Sequence, residues 1–478
     1  MVQFDPMAKY YQTTTLPYVN AEPHIGFALE IIQADVIARY HKLIGDDVVF
    51  NFGTDEHGLK IYQKALEAGK TPQEYCDEYA VKFDALKKAL NLSYTNFIRT
   101  TDPHHVKAAQ EFWKLCRENG DIYKKQYKIK YCVGCELEKT DSELVEGKCP
   151  LHPKLEIQVI EEENYFFKFS NYQKPLLELY EKNPQFVVPE SKLNEIRNFV
   201  KQGLQDFSIS RLKAKMPWGV DVPDDPEHVM YVWFDALINY ISTIGWPTDQ
   251  KQFEMYWPVV QFAGKDQVRQ QAAMWQAMLL SAGLPASKQI FIHGFLTVDG
   301  QKISKSLGNT IDPIEVTEKY GTDTLRYYLL AKLHPWEDSD FSWEKFKLAY
   351  NADLANGLGN LIARVAKLCE KAEITVPEFN SDESNSDSKI SNLLKHYAFN
   401  EAIGSIWEEI AALDKKISKE EPWKLDQKGL EETLPSYVTK IQKIAFDLQP
   451  FLPETAEKIL EQFKGPKIKS ASPLFPRI

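Results

Sequence analysis

Between residues 10 and 58 the apolar pattern changes period twice, and that change limits the folds open to the chain. Residues 10–19, rich in Tyr and Thr, read as a strand. Residues 23–43 read as a helix with Ile25, Leu29, Ile32, Val36 and Tyr40 on roughly one face. The segment "GDDVVFNFGTDEHG" then gives a short apolar strand that runs into a polar loop. Strand, helix and strand at this spacing predict a parallel βαβ unit, and in such units ligands bind beyond the carboxyl ends of the strands. His24 and Asp55 both fall at such ends. The fold class that follows is α/β.

The 478 residues exceed one ordinary core, so two to four domains are expected. After about residue 117 the periodicity breaks into "YKKQYKIKYCVGCELEKTDSELVEGKCPLHP", which reads as an insertion. Strand patterns resume at "HVMYVWFDALINYI", "VVQFAGKD" and "KQIFIHGFLTVDG", which are expected to complete the interrupted sheet. From Ala349 onward strands are no longer expected. "NADLANGLGNLIARVAKL", "AFNEAIGSIWEEIAALDKKI" and "SYVTKIQKIAFDLQPFLPETAEKIL" have helical period, with "NSDESNSDSKI" as a polar loop between the first two.

Composition sets outer bounds only. With 44% hydrophobic and 26% charged residues the chain reads as soluble and globular, and no stretch is long and apolar enough to cross a bilayer. The opening "MVQFDPMAKYYQTTT" lacks the basic-then-apolar pattern of a signal peptide, so a cytoplasmic location and no membrane partner are expected. The net charge of −11 leaves a nucleic-acid partner open, because binding depends on local basic surface.

Of the six cysteines, Cys76, Cys116 and Cys369 are scattered and read as core residues. Cys132-x-x-Cys135 and Cys149-x-x-His152 form two knuckles separated by thirteen residues, enough to fold back into a ribbon. Three thiolates and an imidazole suit one tetrahedral zinc ion, and four protein ligands leave no open position, so the site is expected to be structural. Unligated buried cysteines are the plainer alternative.

"YVNAEPHIGFAL" places His24 and Gly26 at a helix start, where the dipole and backbone N–H groups favour an anion and the glycine admits a nucleotide. On its own, such a histidine is more often a capping or packing residue. "DGQKISKSLGN" adds Lys302 and Lys305, with Ser304 and Ser306, in a glycine-flanked loop after a strand. Two lysines on a loop can close on a polyphosphate and stabilise the charge of a leaving pyrophosphate.

Together, His24-Ile25-Gly26-Phe27 and Lys302-Ile303-Ser304-Lys305-Ser306 resemble the HIGH and KMSKS signatures of the class I aminoacyl-tRNA synthetases. Within that class the chain is most similar to the methionyl-tRNA synthetase family over essentially its whole length. "TTTLPYVNAEPHIGF", "GTDEHG", "YVWFDALINY", "GKD", "IHGFLTVDGQKISKS", "NADLANGLGNLIAR" and the ending "SPLFPRI" occur in family order. The knuckles match the single-zinc form. The resemblance implies a Rossmann-type parallel-sheet catalytic core with a zinc-binding insertion, followed by an all-α helical-bundle domain. Its expected parts are 1–117 and 226–295 for the two halves of the core, 118–225 for the insertion, 296–348 for the linking segment with the second motif, and 349–478 for the anticodon-binding domain.

The resemblance also assigns roles. The reaction would join L-methionine and ATP into methionyl-adenylate and pyrophosphate, then pass the methionyl group to tRNA(Met). His24, Lys302 and Lys305 would be the catalytic residues, with magnesium accompanying ATP. His24, Gly26, Phe27, Gly264, Asp266, Lys302, Ser304 and Lys305 would bind ATP. Asp55 would receive the methionine ammonium group. Leu16, Tyr18, Trp233, Ala236, Leu237 and Tyr240 would line the side-chain pocket, with Gln267 and Gln271 beside it; aromatic walls suit a thioether. Asn360 and Arg364, one helical turn apart, would read anticodon bases, and Trp423 would stack on the first. Phe27, Leu237, Gln267 and Gln271 depart from the family's common residues. A synthetase for another apolar amino acid would need a large editing insertion, for which there is no room. A catalytically weak tRNA-binding factor fits poorly with the presence of Asp55, Trp233, Lys302 and Lys305. A monomer is expected.

Overall fold

In the computed structural model, residues 7–135, 137–139, 141–303, 308–376, 378–379 and 388–477 are described. Strand β1 (Lys9–Thr14) is buried at every position after its first, as a parallel strand covered on both faces must be. Helix α1 (Ile25–Leu43) follows, and β2 (Asp47–Thr54) pairs in parallel with β1 from Lys9↔Asp47 to Thr13↔Asn51. The five α1 residues expected on one face are all buried, and so are Ile31, Ala34, Ile37 and Ala38, so the helix is enclosed rather than half-exposed. The remaining strands are β3 (Asn96–Arg99), β4 (Val187–Val188), β5 (Val260–Gly264) and β6 (Gln289–His293), all parallel, in the order β3-β2-β1-β5-β6-β4. After β3 the chain returns to the opposite side of β1. The topological switch point therefore lies between β1 and β5, and their carboxyl ends open the crevice where ligands of such sheets bind.

Two expectations are corrected. "HVMYVWFDALINYI" does not enter the sheet: Asp225–Met230 pairs antiparallel with Ser210–Leu212 and Asp221–Val222 in a separate small sheet. The chain then forms two short helices, α3 (Val232–Ala236) and α4 (Asn239–Ser242). An apolar run buried on all sides carries no period, so the pattern could not separate strand from helix. The range read as an insertion is also not wholly outside the core. Ile122–Cys132 and Gln158–Phe167 form an antiparallel hairpin, but β4 lies on the sheet edge. Helices Gln173–Lys182 and Glu190–Lys201 bury Tyr180, Leu193 and Val200 in the same apolar cluster as helix α2 (Pro103–Glu118), which contributes Phe112 and Trp113.

Among the described residues no strand follows Phe341. Helices α5 (Asn360–Ala372), α6 (Phe399–Glu420), α7 (Gln427–Leu448) and α8 (Pro453–Gln462) form the C-terminal part, and their core is continuous with the cluster around α1. Arg326 joins the two. It is fully buried, pairs with Asp35 of α1 at 2.8 Å, and donates to the carbonyls of Leu90, Pro450 and Phe451. A buried guanidinium is tolerable because its donors are answered in this way. Most of the "NSDESNSDSKI" loop, residues 380–387, lies outside the described residues. No helix among the described residues is long and apolar enough to cross a membrane.

Candidate functional site

His24 is the N-cap of α1, and its Nδ1 accepts the Gly26 N–H at 3.1 Å. An accepting Nδ1 carries no proton, so the proton of this neutral ring is on Nε2. A Cβ on Gly26 would stand 2.9 Å from His24 Cε1, so the glycine is required by the capping imidazole itself. Phe27 packs its ring against His24 at 4.4 Å and meets Phe83 edge-on at 5.6 Å, which wedges the imidazole against the core. One detail of the anion reading is corrected. The Ile25 N–H bonds to Ile311 O and the Gly26 N–H to His24, so the first helical N–H groups are already used.

Of the second motif, Ile303 lies beside the first. Ile303 Cδ1 is 3.9 Å from where a Gly26 Cβ would be, and the Ile25–Ile311 bond ties the far side of the loop to the helix start. Lys302 is exposed in the two-residue strand Gln301–Lys302, and its carbonyl accepts from Asn309 at 3.0 Å. Ser304 and Lys305, with Ser306, lie outside the described residues.

Gly264 ends β5, and Asp266 follows on an open turn. Crowding by protein atoms raises the Asp266 carboxyl above the usual range; the charges of His293 and Lys302 oppose the rise and Glu30 adds to it. His293 ends β6, with Nε2 2.8 Å from Glu30 Oε2 and Nδ1 2.8 Å from Gly294 O. Burial works against its charged form, but Glu30, Gly294 O and Asp266 outweigh that and raise it above an ordinary histidine. Glu30 Oε1 in turn accepts from the Thr15 N–H at 2.9 Å and the Thr15 hydroxyl at 2.6 Å. This chain from β1 through α1 to β6 was not read from the sequence. The available signal was a histidine closing a buried strand.

Across the switch point, Asp55 is buried and bridged to Tyr18, with Val19 N–H donating to Asp55 O and Asp55 N–H to Pro17 O. Its neighbours point elsewhere. The Glu56 carboxylate takes Arg99 at 2.7 and 2.9 Å, and His57 turns into a buried pair with Asp235. Leu16 is half-buried on the same loop as Tyr18. Trp233 is half-buried on α3, while Ala236, Leu237 and Tyr240 are buried. Tyr240 OH accepts from Gln271 Nε2 at 2.9 Å, and Gln271 Oε1 accepts from Gln261 Nε2 at 2.7 Å, so Gln271 is held at both ends. Gln261, on β5, was not singled out in the sequence. Gln267 Oε1 and Trp233 Nε1 are buried with no hydrogen-bond partner among the described residues.

Cys132, Cys135, Cys149 and His152 place one donor atom each within 4.8 Å of the others. Four of the six separations run from 3.2 Å (Cys135 Sγ to His152 Nδ1) to 4.0 Å (Cys149 Sγ to His152 Nδ1). These bracket the edge of about 3.5–3.8 Å implied by zinc–sulfur and zinc–nitrogen bonds of about 2.3 and 2.0 Å. A Cβ on Gly134 would fall 2.5 Å from the His152 ring, so the turn needs glycine there. Burial, then the charges of Lys60, Lys302 and Lys139, lower the His152 imidazole, favouring the neutral ligand form. The base of this knuckle reaches the pocket: Tyr131, with Tyr231 and Val232, forms a small buried cluster on which Tyr18, Val133 and Trp233 pack.

In the C-terminal helices, Asn360 is exposed at the start of α5. Arg364 bonds Asp414 at 2.9 Å, and its guanidinium lies 5.5 Å from the ring of Trp423, which is 52% exposed. A groove of about 1360 Å³ beside Arg39, Lys458 and Lys467 lies at the far end of α1, away from the strand ends.

The family model "tRNA synthetases class I (M)" matches residues 10–158 and 152–366. A methionine–tRNA ligase of Thermotoga maritima is 44% identical over 477 residues, covering 95% of this chain and 75% of the relative. One from Nostoc sp. is 43% identical over 472 residues, covering 94% and 89%. Methionyl-tRNA synthetase of Mycobacterium tuberculosis in complex with methionyl-adenylate superposes with a TM-score of 0.92 at 36% identity, over 98% of this chain and 100% of that one. The apo form of the same enzyme gives 0.85 at 33% identity, over 100% and 99%.

Proposed function

The chain belongs to the methionine–tRNA ligases of class I, and from that premise we propose how its residues carry out the reaction. The enzyme activates L-methionine with ATP and transfers the methionyl group to tRNA(Met), supporting translation initiation and elongation. The observation that best supports this assignment of residues is the bridge between Tyr18, beyond β1, and Asp55, beyond β2: Asp55 is buried next to Tyr18, and Tyr18 packs with Trp233 on the cluster of Tyr131, Tyr231 and Val232.

Asp55 receives the substrate ammonium. Leu16, Tyr18, Trp233, Ala236, Leu237 and Tyr240 enclose the thioether, with Gln267 and Gln271 at its edge. Gly264 and Asp266 face the adenosine, the carboxylate accepting from ribose hydroxyls. The methionine carboxylate oxygen attacks the α-phosphorus of ATP, and the bond to the β-phosphate bridging oxygen breaks, releasing pyrophosphate. His24 donates through Nε2–H, while Lys302, Lys305 and Ser304 hold the departing charge; Gly26 and Phe27 keep His24 in place. No residue acts as a nucleophile, so rate comes from positioning and charge stabilisation. Magnesium accompanying ATP supplies further charge neutralisation on the phosphates. In the second step the terminal ribose hydroxyl of tRNA attacks the methionyl carbonyl, and AMP leaves.

Zinc is the metal proposed for the Cys132, Cys135, Cys149 and His152 site; a closed set of four ligands makes it structural. Residues 1–117 and 226–295 serve as the catalytic core, joined by Val187–Val188 at the sheet edge and the helices packed beside it, with the rest of 118–225 as the zinc-bearing insertion, 296–348 as the linker, and 349–478 as the anticodon-binding part. There Trp423, Asn360 and Arg364 face the unstacked bases of the anticodon. A monomer and a cytoplasmic location complete the proposal. Charging of a tRNA(Met) transcript with labelled methionine tests the reading. ATP-dependent formation of methionyl-tRNA is expected, and its absence with folded, zinc-loaded protein would overturn it.

A further inference from the structure

A cluster of titratable groups stands directly behind the amino-acid pocket and takes no part in the chemistry described above. The Asp235 carboxylate is completely buried on α3 and has a partner for each oxygen: His57 Nδ1 lies 2.6 Å from Oδ2, and His105 Nε2 lies 2.8 Å from Oδ1. A carboxylate only accepts, so both facing nitrogens carry protons. Burial disfavours the charged carboxylate, but the two imidazoles outweigh it and hold the group at about 2. The second nitrogen of His105 is 3.1 Å from Ser242 Oγ.

Each partner comes from a different element, and each element carries part of the pocket or its support. His57 lies two residues beyond Asp55 on the loop after β2. That loop is otherwise fixed at its back: Glu56 is held by Arg99, and the Trp218 indole N–H donates to Glu56 O. Asp235 sits between Trp233 and Ala236, and Ser242 is two residues beyond Tyr240. His105 lies in the first turn of α2, which packs on α3 and α4. The α3 and α4 segments are short, and apolar contacts alone let such pieces slide. A charge with directional bonds on both oxygens does not.

We propose that Asp235 is a positioning residue for amino-acid recognition. Through His57 it locks the loop carrying Asp55 to the helix carrying Trp233, and through His105 it anchors both to α2. The ammonium-binding and side-chain-binding halves of the pocket then hold one spacing. This inference rests on the reading of that pocket as the methionine site.

The test is methionine-dependent ATP–pyrophosphate exchange on the full chain, with active sites titrated. For Asp235→Asn and for His57→Ala, the methionine KM is expected to rise about 10- to 100-fold while the ATP KM stays within about twofold. His57→Asn sets an amide nitrogen near the Nδ1 position and is expected to recover most of the lost affinity. A purely structural role would reduce the titrated fraction and leave both KM values alone. If Asp235→Asn does not fold, as judged by its melting curve, the His57→Ala and His57→Asn pair decides. A methionine KM for His57→Ala within about twofold of the parent overturns the inference while leaving the pocket reading intact. Absence of methionine-dependent exchange in the parent protein overturns both.

Discussion

His24 has two duties at the head of α1, and the residues around it divide according to which they serve. Its Nδ1 accepts the Gly26 N–H, so the contact proposed with ATP falls to Nε2–H, and Phe27 packs against the ring. Phenylalanine at this position packs between His24 and Phe83, and the role proposed for it is that of a wedge. Phe27→Ala is expected to slow adenylate formation about tenfold and to cost about 1–2 kcal/mol of stability, measured by exchange and thermal melting. Unchanged exchange would remove the wedge role. Glu30 and His293 offer a second test. The folded value of His293 is raised above that of an unfolded imidazole, chiefly by Glu30 acting against burial. The stabilisation from this pair is therefore complete below about pH 6.5 and fades as pH climbs through the higher folded value. Asp266 faces the same group and is common to parent and variant. The difference in Tm between the parent and Glu30→Gln is expected to be larger near pH 6 than near pH 9. A difference independent of pH would contradict the assignment.

Elements differ in how plainly the sequence announced them. Period carried α1, β1 and β2, because a helix stripe and a short apolar strand alternate cleanly there. The knuckle spacing carried all four metal-ligand candidates, since four donors at such intervals have few other uses. Strand β4 is two residues long and gave no pattern, and α3 and α4 are buried except at Trp233, so no face could be read. The polar partners of the site were hidden for a different reason. Glu30, His293, Gln261 and Asp235 meet their partners only because strand ends distant in sequence converge, and a single sequence does not record convergence. The knuckle shows what such convergence does. Tyr131 precedes Cys132, Val133 follows it, and both pack with Tyr18 and Trp233. Removing the metal from a segment with so little core is expected to unfold it, to lower Tm, and to weaken exchange activity about tenfold or more, with zinc restoring it. Full exchange activity in metal-free protein would show that the knuckle is dispensable to the pocket.

Across the whole molecule, chemistry and tRNA reading are assigned to separate ends joined by a continuous core. Arg326 is the clearest link, tying Asp35 of α1 to the carbonyls of Pro450 and Phe451 beyond α7. At the helical end, Trp423 is 52% exposed beside the Arg364 guanidinium, and the role proposed for it is to stack on a base. Trp423→Ala is expected to leave exchange unchanged and to lower kcat/KM for tRNA charging about tenfold, the loss of one stacked base. Equal losses in both assays would place Trp423 in the fold instead of the anticodon site. The central claim is that the crevice between β1 and β5 activates methionine. Amino-acid-dependent ATP–pyrophosphate exchange, with methionine run against leucine, isoleucine, valine and cysteine, tests it most directly. Exchange with methionine alone is the outcome the pocket of Asp55, Trp233 and Tyr240 requires; exchange driven by another amino acid, or by none, would contradict it.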